Sequence, residues 1–147
     1  MLMTKTTVAL IVCAAFAAGL AARSLFSPVP VQAAGNRVFE IRTYTAPPGK
    51  LDALKTRFRD HTVKLFDKHG MKSIGYWVPQ DAPLKDNTLI YVLAHESREA
   101  AAKSWAAFRT DPDWVKAKAE SERGGPLTAQ GGVTSVFADP TDFSAIK

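Results

Sequence analysis

Glu40, Arg42 and Tyr44 stand at alternate positions of residues 37–45 (RVFEIRTYT), with Phe39 and Ile41 between them. On an extended strand the three polar side chains share one face and the two apolar ones share the other. If Phe39 and Ile41 pack beneath helices, Glu40, Arg42 and Tyr44 point into the space beyond the sheet. An arginine there can hold a carboxylate or enolate through two parallel hydrogen bonds, and a tyrosine can donate or accept a proton. The same spacing also suits a structural role, with Glu40 and Arg42 paired to each other or across a dimer to fix its register.

His61 falls on a helical apolar stripe, where it could ligate haem iron, act as a base, or serve as a partly buried core residue. His95 ends a strand, where loops frame a pocket, although a polar turn residue beside Glu96 reads equally well there. Tyr76, Trp77 and Tyr91 would give any cavity they reach an aromatic lining for a flat, apolar ligand. His61, His69, His95 and Glu96 lack metal-ligand spacing, so no metal is expected. There is no Gly-rich phosphate loop and no serine elbow, and no cofactor is expected.

The elements that must position these groups follow from the pattern. After the first strand, Pro47, Pro48 and Gly49 break the chain, and Leu51, Leu54, Phe58, His61 and Leu65 recur at helical steps until His69-Gly70. Residues 71–79 read as a second strand and residues 80–87 as a loop. Residues 88–94 (TLIYVLA) form a third strand that is apolar on both faces. Ser97 caps a second helix, Asp111-Pro112 opens a short continuation, and residues 132–138 make a last strand. Trp105, Phe108 and Trp114 are spaced for the seam between helix and sheet. The order β-α-β-β-α-β predicts an α+β, ferredoxin-like domain: a four-stranded antiparallel sheet with two helices on one face. A strand apolar on both faces, covered by helices on one side only, calls for a second cover. Another copy of the same sheet supplies it, so a homodimer is expected.

Before this domain, residues 1–34 read as an export segment. Lys5 precedes the apolar run at residues 8–22, and Val31-Gln32-Ala33 resembles a signal-peptidase site. The expected organisation is therefore 1–34 signal peptide or N-terminal anchor and 35–147 domain. The protein is expected to be periplasmic or secreted, and membrane-held only if that segment is retained. The chain carries a formal +5, of which Lys5 and Arg23 supply two charges. The body has no dense basic stripe, which argues against nucleic acid as a partner. The one cysteine, Cys13, lies in the export segment, so the body has no thiolate chemistry.

Several local sequences are similar to the NIPSNAP family of the dimeric α/β-barrel superfamily. They are Phe39-Glu40-Ile41-Arg42-Thr43-Tyr44 with Pro48-Gly49-Lys50, then Ile74-Gly75-Tyr76-Trp77, then Tyr91-Val92-Leu93 into Ser97-Arg98. Trp105-Ala106-Ala107-Phe108, Asp111-Pro112-Asp113-Trp114 and the ending Pro140-Thr141-Asp142-Phe143 follow in the same order. The resemblance implies a ferredoxin-like protomer and a dimer whose two sheets form a barrel. It implies no settled reaction.

Three functions are expected in order. The first is binding of a small apolar or aromatic ligand between the sheets, with Glu40, Arg42, Tyr44, Tyr76, Trp77, Tyr91 and His95 as the lining. The second is a cofactor-independent oxygenase or isomerase, with Arg42, Tyr44 and His61 as the catalytic candidates. A haem-degrading version would also want a strand asparagine, and Asn36 and Asn87 both fall in loops. The third is a homodimeric interaction scaffold.

Overall fold

The structure is a computed structural model that describes residues 37–147; the expected export segment and its boundary lie outside the described residues. Strands β1 (Val38–Thr45), β2 (Lys72–Trp77), β3 (Thr88–His95) and β4 (Val133–Ala138) form one antiparallel sheet in the order β2-β3-β1-β4. Helices α1 (Leu51–Arg57), α2 (Val63–Lys68), α3 (Arg98–Thr110) and α4 (Pro112–Ser121) complete the expected β-α-β-β-α-β order. A five-residue π turn, Phe58–Thr62, joins α1 to α2.

The expected punctuation is in place. The Ser97 hydroxyl accepts from the Ala100 N–H at 3.1 Å, and Asp111 Oδ1 accepts from the Asp113 N–H at 2.8 Å, so each caps its helix. Gly70 ends α2 with φ +73°, a conformation that side chains with a Cβ rarely adopt.

Leu54, Phe58, Leu65, Phe66, Trp105 and Phe108 from the helices pack on Leu89, Tyr91 and Leu93 of β3. Register fixes the rest, because residues directly opposite on neighbouring strands share a face. Glu40, Arg42 and Tyr44 lie opposite Leu93, Tyr91 and Leu89, so they face the helices. Phe39, Ile41 and Thr43 lie opposite Ala94, Val92 and Ile90, on the face that no helix among the described residues covers. The two sides of β1 are thus the reverse of the expectation that Phe39 and Ile41 lie under the helices. Alternation separates two faces but does not say which goes in. The choice is made by the partners waiting under the helices, above all those of Glu40.

Candidate functional site

Glu40 is 1% exposed at the centre of the sheet, and a carboxylate there is tolerated only if its oxygens are satisfied. Oε2 accepts from Trp105 Nε1 at 2.6 Å and from His95 Nε2 at 3.0 Å. Oε1 accepts from Ser135 Oγ at 2.7 Å and from an Arg42 guanidinium nitrogen at 2.5 Å. Burial pushes the Glu40 pKa up, but the bonds from His95, Ser135, Trp105 and Arg42 outweigh it and bring it to about 2. One side chain therefore ties together β1, β3, β4 and α3.

The Arg42 guanidinium carbon lies 4.3 Å from the Trp105 ring centre and 5.6 Å from that of Tyr44. Burial lowers its pKa, and Tyr91, Tyr44 and Glu40 more than offset that, so it stays charged. Tyr44, Tyr76 and Phe58 surround the fully buried Tyr91, with ring centres 5.3, 5.6 and 5.2 Å from it. Burial raises the pKa of the Tyr91 phenol. Its hydroxyl, Arg42 Nε and His95 Nδ1 are buried without a hydrogen-bond partner among the described residues.

Of the expected lining, Glu40, Arg42, Tyr44, Tyr76, Tyr91 and His95 therefore gather between sheet and helices, not on the outer face. Trp77 goes the other way. It lies opposite Ile90, on the uncovered face, and is 51% exposed. Ile41 at 39% and Val136 at 62% are exposed on the same face. A cavity of about 270 Å3 lies there, lined by Phe39, Ile41, Ile74, Trp77 and Val92 and walled by the C-terminal segment through Pro140 and Ile146.

The NIPSNAP family model matches residues 39–145, nearly all of the described chain. The chain belongs to the NIPSNAP family. A NIPSNAP family protein of unknown function from Agrobacterium tumefaciens superposes with a TM-score of 0.66 at 22% identity, over 77% of this chain and 96% of that one. An uncharacterised NIPSNAP-like domain protein from Burkholderia xenovorans gives 0.64 at 20% identity, over 75% and 90%. A monooxygenase from Streptomyces coelicolor, solved in complex with the ligand nanaomycin D, gives 0.53 at 15% identity, over 76% and 93%. These likenesses show a shared fold. No curated protein matches the chain by sequence.

The remaining catalytic candidate of this NIPSNAP domain, His61, is not brought to Arg42 and Tyr44. The π turn changes the phase of the helical run, so Thr62 takes the buried position after Phe58. Its hydroxyl donates to the Arg57 carbonyl at 3.2 Å. His61 is half-buried on the side facing α4, beside Lys64, Leu65, Asp113, Ala117 and Glu120. Sequence reasoning missed Trp105 and Ser135 as partners of Glu40. They stand 65 and 95 residues away along the chain, and no local signal links them. Among the described residues, no three His, Cys, Asp or Glu side chains are grouped to hold a metal ion.

Proposed function

We propose that this NIPSNAP domain works as an exported homodimer that holds a small apolar or aromatic ligand between two apposed sheets. The observation that carries it is the sheet face, where Ile41, Trp77 and Val136 stand exposed and Ile41 and Trp77 line an apolar cavity. Exposed apolar surface of this continuity is costly in water and characteristic of an interaction or ligand site. A second copy would cover the face, and the apolar cavity would become an enclosed compartment. The shared fold with a monooxygenase crystallised with nanaomycin D supports a ligand role for this architecture.

Arg42 and Tyr44 do not carry this function. Arg42 is bonded to Glu40 and stacked on Trp105, and Tyr44 packs on Phe58 and Tyr91. These contacts favour a structural role over an oxygenase mechanism routed through them.

Native mass spectrometry of the protein from its own envelope fraction tests the proposal. The expected result is a dimer shortened at its N-terminus and carrying reproducible extra mass. Val136→Asp should yield a folded monomer without that mass. A monomeric wild-type protein would overturn the proposal.

A further inference from the structure

A second cavity, of about 280 Å3, opens at the edge strand β2 where the helical run meets the sheet, and Trp77 is the one residue it shares with the first. Its size is just under the roughly 300–1,000 Å3 common for ligand pockets, which suits a molecule of one or two rings or a short acyl chain. Phe58, Val63, Tyr76 and Trp77 make apolar walls, and Lys55 and Arg59 stand among the lining.

Two features show that this cavity is built. Phe58 and Arg59 belong to the π turn and Val63 follows it directly, so the irregular turn itself forms one wall. Such turns are less favourable than a regular helix and recur at functional sites. Tyr76 is anchored, its hydroxyl 2.6 Å from Ser73 Oγ.

Charge then selects the ligand. Lys55 donates to Asp52 at 2.7 Å, whereas Arg59 has no carboxylate within ion-pair distance among the described residues. An exposed, unpaired guanidinium beside an apolar cavity complements an anion with an apolar body, which it can hold bidentately. We infer that this cavity binds a small amphiphilic carboxylate, an aryl or short acyl acid, with its body against Phe58, Val63, Tyr76 and Trp77 and its carboxylate on Arg59. The site goes beyond the proposed inter-sheet ligand, since it takes a charged head group and needs no second copy.

Isothermal titration of the full chain with 2-naphthoate, and with the neutral naphthalene-2-methanol, tests it. Saturable binding of one naphthoate per chain is expected. Arg59→Gln should weaken it about tenfold and leave the alcohol unaffected, while Val63→Trp should fill the cavity and abolish both. Thermal melts of each variant separate lost binding from lost folding. Equal binding of acid and alcohol, or naphthoate binding unchanged in Arg59→Gln, overturns the assignment, as does the lack of saturable heat into the millimolar range. Val136→Asp, which disables the sheet face, should retain naphthoate binding; its loss there would place the ligand on the sheet face instead.

Discussion

The Trp105 indole N–H donates to Glu40 Oε2 at 2.6 Å, joining α3 to the central strand β1 across 65 residues of chain. This bond explains why a strand that reads as half polar turns its polar side inward. Glu40 would be costly there alone, and it is held by four donors.

Removing that donor should therefore be felt in stability. Trp105→Phe keeps most of the ring and leaves Oε2 with one donor fewer, at a cost of about 1–3 kcal/mol. Glu40→Ala strands a buried guanidinium and should cost about 3 kcal/mol or more. Urea unfolding of each variant measures both. Two near-neutral results would mean that the cluster contributes little.

Acid should release the same cluster. The Glu40 pKa falls from an ordinary 4.5 to about 2 on folding, so the folded state favours the carboxylate. Its contribution is fully present above about pH 4.5 and is lost as pH falls through about 2, amounting to about 3 kcal/mol. Unfolding curves at steps between pH 5 and pH 2 should show the decline, and it should flatten in Glu40→Ala.

Gly132 offers a test of backbone packing. A Cβ there would lie 2.7 Å from the Thr45 carbonyl oxygen and 3.0 Å from that of Ala129, and its own carbonyl accepts from the Thr45 N–H at 2.6 Å. Backbone cannot swing aside as a side-chain tip can, so Gly132→Ala should destabilise by about 1–3 kcal/mol. A lowered melting temperature with unchanged circular dichroism is the expected result.

His61 should be dispensable. It lies half-buried against α4, away from Arg42, Tyr44 and both apolar cavities, so His61→Ala should change stability by no more than about 1 kcal/mol. Retained ligand mass in the native spectrum should be unaltered.

The order of elements was legible because periodicity and punctuation are local. The alternation of residues 37–45, the glycine stop at Gly70 and the caps at Ser97 and Asp111 each announce themselves within a few residues. The phase of the first helical run was not legible. A stripe through Phe58 admits either His61 or Thr62 next, and the π turn puts Thr62 in the buried position.

Sequence alone determined that four strands and two helical segments alternate in ferredoxin-like order, that β3 is apolar on both sides, and that the family is NIPSNAP. Those properties are written in spacing and in short motifs. The inward turn of Glu40, Arg42 and Tyr44, and the outward turn of Ile41 and Trp77, were decided only by tertiary structure. Alternation is symmetric between two faces, and the symmetry is broken by donors brought from distant segments. A carboxylate goes to the side where Trp105, His95 and Ser135 can satisfy it.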